Sequence, residues 1–310
     1  MSEAASDPTR VGVHSLDHFT LAVPDLAEAE RFYAAFGLDV ERREDRLLLR
    51  TADSDHVWAD LLGGPAKKLL SIRFGIYERD LPAIAARLAD VRVENPDAAS
   101  NALWCRAPDG LRVEIAVAPK SSPDAKSSFD PPARFHEHRG AGPRSRNVKV
   151  RPRRLAHLAL YTGGVPAAMG FYGDRLGLRL SDRSGDDVAF MHGPYGSDHH
   201  LVALARSDGP GMHHCSWDVA TVAEVGQGAM QMEAAGYARG WGLGRHVLGS
   251  NYFHYVRDPW GSYAEYSADM DFIPATMDWP GADHPGEDSF YQWGPPPPED
   301  FVRNYETAPE

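Results

Sequence analysis

Two stretches of this chain are built to one plan, and that duplication limits the fold more than any single motif does. Leu16-Asp17-His18-Phe19-Thr20-Leu21 reads as a strand carrying a histidine, followed by a turn and a helix that holds Phe32-Tyr33 and exits at Gly37-Leu38. Leu155-Ala156-His157-Leu158-Ala159-Leu160 opens a second copy, which runs through Phe171-Tyr172 to Gly177-Leu178. The glycine in each exit suits a helix C-terminal cap in the left-handed conformation. Later in each half, Ala107-Pro108-Asp109-Gly110 leads to Glu114, and Asp258-Pro259-Trp260-Gly261 leads to Glu265. Each half is long enough to be a domain, so the repeat is read as a tandem duplication. The expected class is α+β: two βαβββ modules, each a curved, partly open barrel around a cavity. The expected boundaries are a first module over 1–118, a linker over 119–152, a second module over 153–270 and a tail over 271–310.

The chemistry gathers in the second copy. Tyr255 to Glu265 reads as strand, Asp-Pro-x-Gly turn and strand, with Glu265 on the returning strand. His157 and His214 sit on short strands of their own. Two histidines and one carboxylate on three separate strands form the facial set that suits a non-haem Fe(II) centre with open coordination positions. One anionic ligand leaves such a site with a single positive charge, a host for an anionic, oxygen-donating molecule. Strands are expected over 187–191, 199–204 and 213–219, and a helix from about Val222 to Ala235, ending at Gly236. Alternation places His200, Val202 and Leu204 on one face, and His214, Ser216 and Asp218 on one face of theirs, with His199 and His213 turned the other way. Cys215 then points into the core. Whether His192, Asn251 or His254 lines the cavity is open at this level. Each histidine taken alone would be an ordinary structural residue; the joint pattern is what is specific.

Bulk properties remove several function classes. The formal net charge of −12 over 310 residues argues against a nucleic-acid surface. Arg144, Arg146, Lys149, Arg151, Arg153 and Arg154 cluster in the linker without interleaved aromatics, which reads as a solvated connector. Two distant cysteines, Cys105 and Cys215, give no disulfide framework. A polar, acidic start and the lack of a long apolar run point to a cytoplasmic protein without membrane partners. Trp279, Phe290, Tyr291 and Trp293 make the tail too aromatic to hang in water, so it is expected to pack on the body, near the site mouth or a subunit interface.

With these residues in view, the chain resembles the type I extradiol catechol dioxygenases of the vicinal oxygen chelate superfamily, whose fold is glyoxalase-like. The resemblance covers residues 10–118 and 150–270. It is most specific at Gly244-Arg245-His246, Tyr255, Asp258-Pro259-x-Gly261 and Glu265. It implies His157, His214 and Glu265 as ligands of Fe(II), with Mn(II) also accepted by the same donors. It implies His200 as the acid–base residue, and His246 and Tyr255 as hydrogen-bonding residues on the substrate side. His18 and Glu114 persist in the first half, but Ser71 stands at the position of His214, so that half is expected to be metal-free. The implied partners are a catecholic small molecule, O2 and further copies of the chain in a homo-oligomer. Two other functions stay open within this fold: a redox-neutral metal-dependent isomerase or transferase of the glyoxalase type, and a non-catalytic ligand-sequestering protein.

Overall fold

The structure is a computed structural model that describes residues 10–52, 54–97, 100–129 and 141–307. The polar start over 1–9 and the middle of the expected linker, 130–140, lie outside the described residues.

The first half contains β1 (Ser15–Val23), β2 (Asp39–Arg42), β3 (Arg46–Arg50), β4 (Ala59–Gly63), β5 (Lys68–Ile76), β6 (Leu103–Arg106) and β7 (Arg112–Val117). Helices α1 (Leu26–Phe36) and α2 (Leu81–Arg87) belong to it. Its seven strands lie in the order β2-β3-β4-β1-β5-β7-β6. The second half opens with β8 (Arg154–Thr162), α3 (Val165–Gly170), β9 (Arg179–Ser184), β10 (Val188–His192), β11 (Ser197–Asp198) and β12 (Val202–Arg206). It continues through β13 (Gly211–Asp218), α4 (Val222–Ala234), β14 (Gly240–His246), β15 (Tyr252–Arg257) and β16 (Tyr263–Ala268). Short strands β17 (Phe272–Ile273), β18 (Ala282–Asp283) and β19 (Tyr291–Trp293) follow. Its large sheet runs β18-β9-β10-β12-β8-β13-β16-β15-β14-β19. Both sheets share one pattern. An antiparallel central pair, β1–β5 or β8–β13, is flanked by one parallel partner on each side. The expected α+β class is the one observed, but each half carries the strand–helix–strands unit twice rather than once, as β1-α1-β2-β3-β4 with β5-α2-β6-β7 and as β8-α3-β9-β10-β12 with β13-α4-β14-β15-β16.

Local sequence explains the elements. Asp25 caps α1 by accepting from the Ala27 and Glu28 N–H groups, and Thr221 and Glu224 form a reciprocal capping box on α4. The helix of the second copy departs from the first. Gly37 follows Tyr33 by four positions, whereas Gly177 follows Tyr172 by five. The extra residue is absorbed as a π-turn over Phe171–Arg175, so Gly177 still reaches its left-handed cap at φ 76°. Residues 155–162 of β8 and all of β13 are buried, since helices cover one face and a cavity faces the other.

One continuous apolar core joins the halves. The Phe36 ring stacks on Tyr266 at a centroid separation of 3.9 Å, and the Tyr266 hydroxyl donates to the Phe36 carbonyl at 2.8 Å. The tail crosses both halves. Phe301 enters an aromatic cluster with Trp241, Phe253, Tyr255 and Tyr263, while the Glu306 carboxylate receives Lys67 at 2.6 Å and the Met212 N–H at 2.9 Å. Among the described residues, no helix is long and apolar enough to cross a membrane.

One element differs from expectation. The strand expected from His199 begins at Val202, and both histidines lie in the approach to it. Here the backbone pairs elsewhere: the His199 N–H donates to the Asp271 carbonyl at 2.7 Å, next to the small β11–β17 sheet. The orientation of His199 and His200 therefore comes from this irregular turn rather than from strand alternation.

Candidate metal centre

Three neighbouring strands bring His157, His214 and Glu265 together. On β13, Ser216 lies opposite His157 of β8 on one side and opposite Glu265 of β16 on the other. A bulge between Met212 and His214 sets the approach of His214 to this row. The result is close convergence. His157 Nε2 and His214 Nε2 are 3.0 Å apart, and they lie 3.5 and 3.6 Å from Glu265 Oε2. All three residues are buried, Glu265 completely. Burial, followed by the neighbouring histidines, pushes His157 and His214 well below the ordinary imidazole pKa, so both are neutral with a lone pair to offer.

Whether a cation fits can be judged from the carboxylate. Oε1 of Glu265 receives the Asn251 side-chain amide at 3.2 Å, but among the described residues Oε2 has no hydrogen-bond partner, and it is buried. A buried carboxylate oxygen without a donor is costly, by several kcal/mol on the scale of buried charges. A divalent cation bound by Glu265, His157 and His214 would remove that cost. The donor set fits a metal. Among the described residues this trio is the one group of three whose candidate ligand atoms come within 4.8 Å of one another.

The remaining predicted residues stand around the trio. His200 lines the same cavity, its ring centroid 4.1 Å from that of His157, with Nδ1 3.1 Å from His199 Nδ1. His246 Nδ1 lies 2.8 Å from the Phe290 carbonyl, which can only accept, so this nitrogen carries the proton. Its Nε2 is then bare in the neutral ring and accepts from the Tyr255 hydroxyl at 2.8 Å. Burial, and then the nearby Glu265 carboxylate, raise the Tyr255 phenol well above its usual pKa, which keeps it protonated. The turn that delivers Glu265 is held by Asp258, whose Oδ1 accepts from the Trp260 and Ser262 N–H groups at 2.8 and 3.0 Å. Gly261 takes φ 102° there.

Of the three residues left open, Asn251 belongs to the site, presented by a turn in which Gly249 and Ser250 both have positive φ. His192 is bound to the Ser181 hydroxyl at 2.8 Å, and His254 does not line the cavity. Sequence reasoning missed His213. It touches His214 through their Nδ1 atoms at 2.6 Å and lines the cavity, because the bulge defeats alternation. It also missed Phe301 and Val302, which close the cavity from the tail.

The first half preserves the row and changes its meaning. His18 of β1 and Glu114 of β7 both lie opposite Arg73 of β5, as His157 and Glu265 lie opposite Ser216. Arg73 Nε lies 3.5 Å from Glu114 and 3.6 Å from Asp17, so a fixed guanidinium supplies the positive charge there. The position of His214 is taken by Ser71. His18→Ala and Glu114→Ala are accordingly expected to retain the metal content of the unaltered protein by elemental analysis. Loss of metal from a folded His18→Ala protein would place the centre in the wrong half.

Residues 154–266 match the family described as Glyoxalase/Bleomycin resistance protein/Dioxygenase superfamily. The chain is 52% identical to Metapyrocatechase 2 of Cupriavidus necator, over 98% of this chain and 96% of that protein. Its fold is similar to that of homoprotocatechuate 2,3-dioxygenase from Brevibacterium fuscum, at 20% identity and TM-score 0.76, covering 95% of this chain and 82% of the other. It is also similar to a Mn(II)-bound glyoxalase from Novosphingobium aromaticivorans, at 22% identity and TM-score 0.72, with 93% of each chain covered. The distant structures establish the fold; full-length identity to the metapyrocatechase goes further. The chain belongs to the type I extradiol catechol dioxygenases, within the Glyoxalase/Bleomycin resistance protein/Dioxygenase superfamily.

Proposed function

We propose that this protein opens the ring of a catechol beside its two hydroxyls, placing both atoms of O2 in a semialdehyde-type product. The observation that carries this reading is one cavity in which a two-histidine, one-carboxylate donor set shares its walls with His200, His246 and Tyr255. We assign Fe(II) to His157, His214 and Glu265, with Mn(II) as the metal the same donors would also accept. When bound, such a metal lowers the pKa of a coordinated hydroxyl and lets electron density pass between the aromatic ring and dioxygen.

The residues divide the remaining work by position. Asn251 steers Glu265 by donating to Oε1, which leaves Oε2 toward the two histidines. Tyr255 and His246 form a buried phenol–imidazole pair on the Oε1 side, where His246 Nε2 lies 3.7 Å from the carboxylate. That pair orients the second hydroxyl and accepts its proton. His200 stands against His157, where it takes a proton and returns it as the O–O bond breaks. The aromatic ring rests among Phe190, Leu248, Phe290 and Phe301 in a cavity of about 440 Å³.

The wall chemistry also limits the substituent. Arg206 is the lining guanidinium, and it is exposed and already paired with Asp187 at 2.7 Å. Among the described residues, a substrate carboxylate would enter largely apolar walls with no unpaired lining guanidinium or ammonium. Catechol and alkylcatechols are therefore expected to exceed carboxylated catechols in kcat/KM by more than about tenfold, a modest share of the cost of burying an unpaired carboxylate. Preference for a carboxylated catechol would refute this view of the walls. The whole reading is tested on anaerobically purified protein loaded with Fe(II) or Mn(II). Oxygen uptake with catechol and a yellow product are expected, whereas a redox-neutral or sequestering protein consumes no oxygen. A homo-oligomer is part of the same reading, and light scattering measures its order.

A further inference from the structure

His200 is not held by the cavity alone. Behind it lies a chain of buried polar groups that none of the roles above uses. His200 Nδ1 is 3.1 Å from His199 Nδ1, and His199 Nε2 is 2.9 Å from Asp182 Oδ2. His199 is fully buried and Asp182 nearly so. Asp182 in turn is surrounded by donors from the tail. Its Oδ1 receives the Ala282 N–H at 3.0 Å and His284 Nε2 at 2.7 Å, and its Oδ2 receives the Trp279 indole at 3.3 Å. Those three residues lie beyond the segment 154–266 that matches the superfamily.

The donor directions can be followed from one end to the other. Burial alone would raise the Asp182 carboxyl, but donors from His199, His284 and Ala282 outweigh it and hold it at about 2. An ionised carboxylate only accepts, so His199 Nε2 must carry a proton. With its one proton placed on Nε2, His199 offers a bare Nδ1 as the acceptor for His200 Nδ1–H, the two atoms being 3.1 Å apart. That assignment leaves the lone pair of His200 on Nε2, which makes no hydrogen bond among the described residues and belongs to a ring lining the cavity. The second nitrogen of a histidine is commonly set this way by what its first nitrogen touches.

The geometry points to Asp182 and His199 as positioning residues that lock His200 in the Nδ1–H tautomer, with the tail segment 279–284 clamping Asp182. Resting His200 is thereby a base toward the cavity. The arrangement follows the logic by which a third group orients a catalytic imidazole. No covalent bond is made or broken in the chain behind His200; only hydrogen-bond donors are fixed. The inference rests on the acid–base role given to His200 above, so its test needs a readout that does not depend on turnover.

Asp182→Asn is the informative variant because it is isosteric. The asparagine amide can donate to His199 Nε2, which moves the His199 proton to Nδ1 and reverses the last hydrogen bond. His200 would then carry its proton on Nε2. In metal-free protein with ¹⁵N-labelled histidine at pH 8, the His200 nitrogen shifts are expected to report Nδ1–H in the unaltered chain and Nε2–H in Asp182→Asn. The same variant, loaded with Fe(II), should lose about 10²-fold in kcat with KM for catechol within threefold, and should keep its metal. A merely structural aspartate would tolerate asparagine and suffer from alanine; here asparagine should be as damaging as alanine. If Asp182→Asn does not fold, His199→Gln against His199→Leu carries the test. Glutamine still offers an acceptor to His200 Nδ1 and should keep most activity, while leucine should lose about 10²-fold. Nε2–H on His200 in the unaltered protein, or normal kcat in metal-replete Asp182→Asn or His199→Leu, overturns the inference. If the unaltered protein shows Nδ1–H but consumes no oxygen with any catechol, the tautomer lock stands and the proposed reaction falls.

Discussion

Glu265→Ala should yield folded protein with less than about a tenth of an equivalent of iron, and ring cleavage below detection. The size of the effect follows from where the charge sits. Glu265 is fully buried at the centre of the second sheet, and its Oε2 faces His157 and His214 without a donor of its own. Removing it leaves two neutral imidazoles and no anion in the trio, so a divalent cation entering the cavity would be a buried charge without compensation. Folding should survive, because the metal-free chain loses an uncompensated carboxylate rather than a packed apolar group. The melting temperature separates these effects. Adding Fe(II) under anaerobic conditions should raise it in the unaltered protein, as expected for a ligand that binds only the folded state, and should leave Glu265→Ala unmoved. Full iron occupancy in the variant would mean that other groups hold the metal.

The parts of this molecule that sequence exposes are those governed by local periodicity. The duplicated strand–helix unit, the glycine exits at Gly37 and Gly177, the capped helix after Thr221 and the Asp258–Gly261 turn each depend on a few adjacent residues. His157, His214 and Glu265 are each legible on a strand of their own, and those strands are neighbours in the second sheet. What sequence hides are departures from that periodicity and contacts over long separations. The bulge between Met212 and His214 brings His213 to the cavity, against simple alternation. The approach to β12 is not a strand, so the partition of His199 and His200 depends on a backbone contact to Asp271 that no local pattern encodes. Alternation made His199 a bystander; the structure places it against both His200 and Asp182, at 3.1 and 2.9 Å. The tail was recognisable as too aromatic to stay in solvent, yet nothing in its composition revealed that Phe301 would roof the cavity or that His284 would reach Asp182.

His200→Phe should bind metal and catechol nearly as the unaltered protein does, yet turn over about 10²–10⁴-fold more slowly, the range for loss of a general acid–base group. Phenylalanine preserves the ring that packs between His157 and Phe190, whose centroids lie 4.1 and 4.9 Å from that of His200. The wall therefore keeps its shape, and His157 and His214 keep their places. What is lost is the nitrogen that faces the cavity and the hydrogen bond between His200 Nδ1 and His199 Nδ1. Burial and then the neighbouring His199 and His246 hold His200 well below the ordinary imidazole pKa, so in the resting protein it is neutral and able to accept a proton. In the role proposed for it, its task is transient: to take a proton as the substrate is engaged and to give it back as the O–O bond breaks. Tyr255 cannot replace it, because its hydroxyl is committed to His246 on the Glu265 Oε1 side of the site. Steady-state oxygen uptake, metal content and catechol affinity measured on one preparation make the distinction. A His200→Phe protein that loses its iron would make His200 a ligand, and one that turns over at a normal rate would move the acid–base role to the His246–Tyr255 pair.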